Sequence, residues 1–186
     1  LVDSLCPVWG KLYRRSLIQK SGARFVDLAE IGSYEDGFFN LEVFGKADRV
    51  VYLAAYLYHY RRDGSSSVTS GYNPRLYDQW QTLYDRMEAI IRSNQLGSEY
   101  EAALNNRIAL GILGLGLNIT VSTQPMGKKV KDIHRIIRQE RYRKAYKNLP
   151  LNYFPIHWKL FYGCARHGFA FGVYVLLTVI QRIISR

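Results

Sequence analysis

Apolar residues recur at helical spacing through most of the sequence after residue 73, and this periodicity restricts the fold more than any other feature. Asn73 and Pro74 open the first such segment, because proline is favoured at the first position of a helix. Its apolar residues lie on one helical face over more than four turns: Leu76, Trp80, Leu83, Met87, Ile90 and Ile91. Ser98 caps a second apolar segment, in which three glycines have spacings that allow close helix packing: Gly111, Gly114 and Gly116. Residues 73–122 are therefore predicted to form a helical extension.

The remaining residues, 123–186, are first basic and then apolar, again with helical spacing. The whole chain has 26 Lys and Arg against 15 Asp and Glu, a formal net charge of +11. Residues 128–147 alone carry nine positive and two negative side chains. Residues 168–180 carry no charge, but these 13 residues are fewer than the roughly 20 that a membrane-spanning helix needs. We therefore expect a basic amphipathic tail that lies on an anionic membrane surface.

Two other interpretations of the tail stay open at this point. The same positive charge suits nucleic acid, but no nucleic-acid-binding motif is present and the uncharged run would have no role there, so no nucleic-acid partner is expected. Alternatively, the tail helices simply pack on the rest of the protein. In the membrane interpretation, Trp158 and Tyr162 lie at the depth of the lipid headgroups, and the short apolar helix lies against the bilayer.

The N-terminal third, residues 1–72, has a different pattern of short β-branched and aromatic runs separated by turn residues. This pattern predicts an α/β structure. Residues 49–53 and 56–61 resemble two strands that could pair as a hairpin. A helix is predicted from Tyr13 to Lys20, closed by Gly22, and another begins at Ser33 or Tyr34.

A series of motifs runs through this third in a fixed order. Its members are Val8-Trp9-Gly10-Lys11-Leu12-Tyr13-Arg14-Arg15, Gly22-Ala23-Arg24-Phe25, Tyr34-Glu35-Asp36, Val50-Val51-Tyr52-Leu53, Tyr58-His59-Tyr60-Arg61 and Gly64-Ser65-Ser66-Ser67. Together they resemble the second half of the catalytic domain of bacterial family 2 glycosyltransferases, the GT-A type. The resemblance covers about a third of the chain. It implies that residues 1–72 are the acceptor side of a GT-A domain, followed by the mainly α-helical region.

The resemblance also implies a reaction, in which a sugar passes from a nucleotide-sugar donor to a polysaccharide or lipid-linked acceptor with inversion. The acidic motif of the family falls on Glu35 and Asp36, so Asp36 would be the general base that takes the proton of the attacking hydroxyl. Glu35 would hold the acceptor or support the loop. The alternative is that both are ordinary charges at a helix start, where the helix dipole favours negative groups.

Six further residues are predicted to bind substrate, and most have a structural alternative. Trp9 would stack on a sugar ring, or else be a core residue. Lys11, Arg61 and Arg62 would meet the diphosphate leaving group. Arg61 is favoured because the family folds this loop over the donor, and its alternative is a solvated charge at a strand end. His59 would touch the donor or a metal, or else be structural, and Ser66 belongs to the serine-rich loop.

The sequence lacks the Asp-x-Asp motif and the phosphate-binding loop of the nucleotide-binding half. We therefore expect a fragment that is inactive alone, and a divalent metal, Mg or Mn, held mostly by ligands outside this chain, none being assigned within it. Cys6 and Cys164 form neither a disulfide framework nor a zinc motif, which favours a reducing compartment and, with the resemblance, the cytoplasmic face of the cell membrane as a peripheral protein. The alternative function is a non-catalytic, membrane-associated helical interaction module.

Overall fold

A computed structural model describes residues 6–55, 57–59 and 71–184 of the chain. The regular elements of this described part are helices: α1 (Arg15–Ser21), α2 (Leu28–Ile31), α3 (Glu35–Phe44), α4 (Leu76–Ser93), α5 (Ser98–Thr120), α6 (Met126–Arg138), α7 (Glu140–Asn148), α8 (Ile156–Arg166) and α9 (Ala170–Ile184), with a 3-10 turn at Leu151–Tyr153. The chain is therefore mainly helical. The predicted helical segments after residue 73 are all present.

The predicted α/β structure of the N-terminal third is wrong, since the described residues contain no strand there. Residues 50–53 lie in irregular structure and are largely exposed, with backbone groups that form no ladder within the described part. A β-branched and aromatic run has strand character only when a neighbouring strand accepts its hydrogen bonds. The second half of the predicted hairpin, including Tyr60 and Arg61, falls largely outside the described residues.

The chain divides into two compact units. The first comprises Leu1–Ser70 and Arg75–Gly97, and the second comprises Gly71–Pro74 and Ser98–Arg186. In the first unit, α1 ends where Gly22 adopts a left-handed conformation with φ of 68°, as its position after the apolar run predicts. A small core forms between α1 and α3 around three buried residues: Ala23, Phe39 and Val43.

Within the same unit, α4 packs on α2 through polar as well as apolar contacts. The side-chain amide of Gln79 donates to the carbonyl of Ala29 at 3.0 Å, and the indole N–H of Trp80 donates to the hydroxyl of Ser33 at 3.0 Å. Gly32 has φ of 75°, and a Cβ there would lie 2.7 Å from the Gln79 Oε1 atom. These contacts fix the turn that leads into α3.

The second unit is built around α5, against which α6, α7 and α9 pack. Gly116 on α5 lets α9 approach closely, since a Cβ there would stand 2.4 Å from Cδ1 of the fully buried Leu177. By length and composition α5 could also cross a membrane. Its residues from 104 to 120 are buried or half-buried by the other helices, which is equally typical of the central helix of a helical bundle.

The basic helices α6 and α7 turn their apolar sides into this unit. Five residues of these two helices are buried there: Ile133, Ile136, Ile137, Tyr142 and Tyr146. The Arg166 guanidinium donates to the carbonyls of Tyr146 and Leu149, and so satisfies the C-terminal end of α7. The apolar side of the basic amphipathic segment is thus part of the protein core, and Tyr162 is buried as well.

Candidate functional site

Asp36 lies in the first turn of α3, and Glu35 begins that helix. Both residues are half-buried. The backbone N–H of Val8 donates to Asp36 Oδ2 at 3.0 Å, so the segment that precedes Trp9 is tied to the carboxylate. A carboxylate can accept further hydrogen bonds, so this contact leaves Asp36 able to accept from a substrate hydroxyl. Its position at the helix N-terminus also favours a negative charge.

Lys11 lies in the neighbourhood of this carboxylate. Its ammonium group donates to the carbonyl of Pro7. Burial lowers the pKa of Lys11, whereas the nearby Cys6 and Asp36 act in the opposite direction. The predicted base and one predicted phosphate-binding cation are therefore close enough to influence each other electrostatically.

A buried asparagine, which the sequence does not single out, joins this segment to α3. Asn40 is only 4% exposed. Its Oδ1 atom accepts from the Tyr13 hydroxyl at 2.6 Å, and its amide donates to the carbonyl of Cys6. Burial raises the pKa of the Tyr13 hydroxyl, an effect that the charge of Asp36 reinforces and the Asn40 hydrogen bond opposes. Asn40 thus holds both ends of the segment that carries Trp9 and Lys11.

Tyr34, one of the two residues predicted to begin this helix, also contacts the segment before Trp9. It precedes α3 in a left-handed conformation, with φ of 75°, which is uncommon for a non-glycine residue. Its ring lies so close to Gly37 that a Cβ at that position would stand 2.3 Å from Tyr34 Cε1. Its hydroxyl is 2.7 Å from Cys6 Sγ. Tyr34 therefore covers the first turn of α3 beside Asp36.

Trp9 is partly exposed and stacks on Tyr58, with ring centroids 5.1 Å apart and an angle of 23° between the planes. This contact brings residues 57–59 to the segment that carries Lys11, and His59 is exposed next to the pair. Trp9 is not a core residue here. The pair offers the exposed aromatic surface on which apolar faces of sugars stack.

The three other predicted substrate-binding residues, Arg61, Arg62 and Ser66, lie outside the described residues. Among the residues that are described, no group of three or more His, Cys, Asp or Glu side chains could hold a metal ion. This part of the chain therefore does not fit a complete metal site.

A separate shallow cleft of about 320 Å³ lies on the first unit. Its lining combines aromatic and charged side chains, among them Phe25, Glu30, Glu42 and Arg86. Burial raises the pKa of Glu42, while the Arg24 N–H and the charge of Arg86 oppose this shift. The cleft contains none of the predicted site residues.

Replacing Asn40 by alanine is expected to destabilise the protein by about 1–3 kcal/mol, because the Tyr13 hydroxyl and the Cys6 carbonyl lose their partner. Tyr13→Phe removes one of the two hydrogen bonds without creating a cavity, and we expect about 1 kcal/mol or less for it. Urea unfolding of both variants measures this difference. An Asn40→Ala variant as stable as the native chain would show that these hydrogen bonds do not hold the segment.

Comparison with known proteins finds similarity to glycosyltransferases. Over 102 residues the chain is 34% identical to EpsH of Bacillus subtilis (strain 168), a protein provisionally named a glycosyltransferase. The aligned residues cover 55% of this chain and 29% of EpsH. It is 29% identical over 157 residues to the uncharacterized glycosyltransferase EpsJ of the same strain, covering 84% of this chain and 44% of EpsJ. It is 31% identical over 161 residues to the glycosyltransferase GlyA of Streptococcus pneumoniae serotype 4 (strain ATCC BAA-334 / TIGR4), and the alignment covers 81% of this chain and 21% of GlyA.

The chain thus spans less than half the length of each of these curated relatives. No family model matches it, and no solved structure is significantly similar to it. Its relatives support the glycosyltransferase part of the resemblance seen in the motifs.

Proposed function

We propose that this chain is part of a family 2, GT-A type glycosyltransferase that transfers a sugar from a nucleotide-sugar donor to a polysaccharide or lipid-linked acceptor. The observation that carries the proposal is the half-buried Asp36 at the start of α3, tied to the segment of Trp9 and Lys11 in a chain whose relatives are named glycosyltransferases. The chain would supply the base and the acceptor side and would be inactive alone.

In the proposed reaction, Asp36 takes the proton of the acceptor hydroxyl while its oxygen attacks the anomeric carbon of the donor sugar. The new glycosidic bond forms as the bond from that carbon to the diphosphate breaks, and the nucleoside diphosphate leaves with the electron pair. Attack on the side opposite the leaving group inverts the anomeric configuration. Glu35, in the same helical turn, would hold the acceptor or the adjoining loop.

Lys11 and the aromatic pair suit the two substrates on chemical grounds. An ammonium group beside the reacting centre offsets the negative charge that grows on the leaving diphosphate. Trp9, stacked on Tyr58, would contact the apolar face of a sugar. Arg61, His59 and Ser66 remain proposed substrate contacts, with Arg61 directed at the diphosphate.

We also propose that the divalent metal of the complete enzyme, Mg or Mn, binds mostly outside these 186 residues. When bound, such an ion would stabilise the charge of the diphosphate. The peripheral location on the cytoplasmic face of the membrane is part of the same proposal. It is supported by the formal net charge of +11, which favours an anionic surface.

The test is an assay of the complete native protein with a panel of nucleotide sugars, with membrane extract as the source of acceptor. Release of nucleoside diphosphate that requires both one donor and the extract is expected. If the complete native protein releases no nucleoside diphosphate from any donor in the presence of the extract, the proposed sugar transfer is contradicted.

The alternative, a non-catalytic helical interaction module, is favoured by one observation. The second unit buries a core of its own between α5, α6, α7, α8 and α9, and it contains none of the predicted site residues. In that case membrane binding would persist without any sugar transfer.

A further inference from the structure

The last helix of the chain is apolar on both of its sides. On its inner side, three of its own residues are buried in the second unit: Ala170, Val173 and Leu177. Its outer side presents four residues that are 43 to 69% exposed: Phe171, Val175, Val179 and Ile183. A helix at a protein surface normally has polar residues on its outer side, so this outer side indicates a partner that is itself apolar.

The four outer residues form one continuous stripe. They are spaced four apart, which places them on neighbouring turns of the same helical face. At 1.5 Å per residue the stripe from Phe171 to Ile183 is about 18 Å long. The stripe is thus long enough to make an extended contact along the helix axis.

The apolar surface continues from α9 onto α8. The rings of Phe169 and Phe171 have centroids 6.5 Å apart. Phe169 also lines a shallow groove with five residues of α8 and of the turn after it: Lys159, Leu160, Gly163, Cys164 and His167. Ile156 and Leu160 are exposed one turn apart on α8. We call the surface formed by these exposed apolar residues of α8 and α9, together with Phe169, the apolar face.

The charged residues of the sequence that follows Glu140, which contains α8 and α9, have a single sign. After Glu140 the sequence contains no Asp or Glu up to its last residue. The same stretch contains eight Lys and Arg residues: Arg141, Arg143, Lys144, Lys147, Lys159, Arg166, Arg182 and Arg186. Lys159 lines the groove, and Arg182 is an exposed neighbour of Ile183. The surface that would accept this face therefore combines apolar groups with negative charge.

We propose that the apolar face is a docking site for an anionic lipid bilayer, with α9 lying in the plane of the interface. An amphipathic arrangement of large apolar side chains flanked by cations is the kind of surface that binds at the boundary of headgroups and acyl chains. In a dimer formed through the apolar face, the positive charges of one copy would lie near those of the other, and this repulsion disfavours a second copy as the occupant. Spanning is disfavoured as well, because the 15 residues of α9 are fewer than the roughly 20 required and its inner side is buried.

The proposal narrows the membrane anchor that the sequence suggested, in which a basic amphipathic helix and the short apolar helix both lie on the membrane. The apolar sides of α6 and α7 are occupied by the core of the second unit, so those helices can contribute charge but not insertion. The exposed side chains of the apolar face, on α8 and α9, remain available for acyl chains.

The experiment measures binding of the purified chain to vesicles of phosphatidylcholine with about a third phosphatidylglycerol, by co-sedimentation. We expect binding that weakens with salt and is much weaker for phosphatidylcholine alone. The double variant Val175→Asp/Val179→Asp is expected to reduce the affinity at least tenfold, because two inserted side chains become charged.

The matched control is Val50→Asp/Val121→Asp, which makes the same change in net charge at two exposed valines outside α8 and α9. Val175 and Val121 are 43% and 41% exposed, so the two variants should be about equally well folded. Affinity that falls equally in both variants, or no binding to anionic vesicles at all, would overturn the proposal. A dimer in solution that Val175→Asp/Val179→Asp abolishes and the control variant does not would also overturn the proposal, because the occupant would then be a second copy. The proposal rests on the peripheral membrane location proposed above, but its outcome is independent of the proposed catalysis, because Asp36→Asn leaves the apolar face unchanged.

Discussion

Asp36→Asn should lower the rate of sugar transfer by the complete enzyme by about 10²- to 10⁴-fold, the usual contribution of a general base. Asparagine keeps an oxygen that can accept from the Val8 N–H, so the hydrogen bond at 3.0 Å that positions the segment can persist. What the variant loses is the ability to take a proton. We therefore expect kcat to fall while the urea midpoint of unfolding stays close to that of the native enzyme.

The matched control for this variant is Glu35→Gln, which makes the same chemical change in the same helical turn. Both residues are half-buried in the first turn of α3, so a loss that reflects helix-start charge alone would appear in both variants. We expect Glu35→Gln to affect KM more than kcat. Turnover by Asp36→Asn within about threefold of native would remove Asp36 from the mechanism, since general bases contribute far more than this.

Leu177→Ala is expected to destabilise the second unit by about 3–5 kcal/mol, the range for a fully buried leucine whose site cannot collapse. Leu177 has no exposed surface and lies against Gly116 of α5. Leu160→Ala, at an exposed leucine of α8, should change the free energy of unfolding by about 0.5 kcal/mol or less without lipid. Urea unfolding followed by circular dichroism measures both. Equal effects at the two leucines would contradict the packing of α9 on α5.

The same contact predicts a sign change in a double-mutant cycle. Alanine is better than glycine in a helix by about 1 kcal/mol. In the native background the Gly116→Ala methyl would stand 2.4 Å from Leu177 Cδ1, so overpacking outweighs this gain and the substitution is expected to be destabilising. In the Leu177→Ala background that atom is absent, and Gly116→Ala should be stabilising. Gly116→Ala that is equally favourable in both backgrounds would show that the two residues do not meet.

The helical part of the fold could be predicted from the sequence because its signals are local. The apolar spacing after residue 73, Gly22 at the end of α1 and the acidic pair at the start of α3 each act within one or two turns. The predicted hairpin could not be settled in the same way. Residues 50–53 have the composition of a strand, but a strand is defined by the neighbour that pairs with it, and the described residues contain none.

The candidate site shows the same difference between features set by neighbours in sequence and features set by distant residues. The motif placed Asp36 correctly at a helix start, because the acidic pair and the helix that follows are adjacent in sequence. The roles of Asn40 and Tyr34 depend on Tyr13 and Cys6, which are 27 to 34 residues away. The one available signal was a lone asparagine inside the apolar run of α3, since a buried amide requires partners. The sequence shows that an asparagine is unusual at this position, but it does not show which residues form hydrogen bonds with it.

The two-sided character of α9 has a practical consequence for truncation. A chain shortened before residue 170 would lose Val173 and Leu177 from the core together with the exposed stripe. Deletion would therefore unfold or aggregate the second unit, and a loss of the proposed membrane attachment in such a deletion would be indistinguishable from misfolding. A soluble form of the protein is better sought by placing charges at Val175 and Val179, which leaves the inner side of the helix in place.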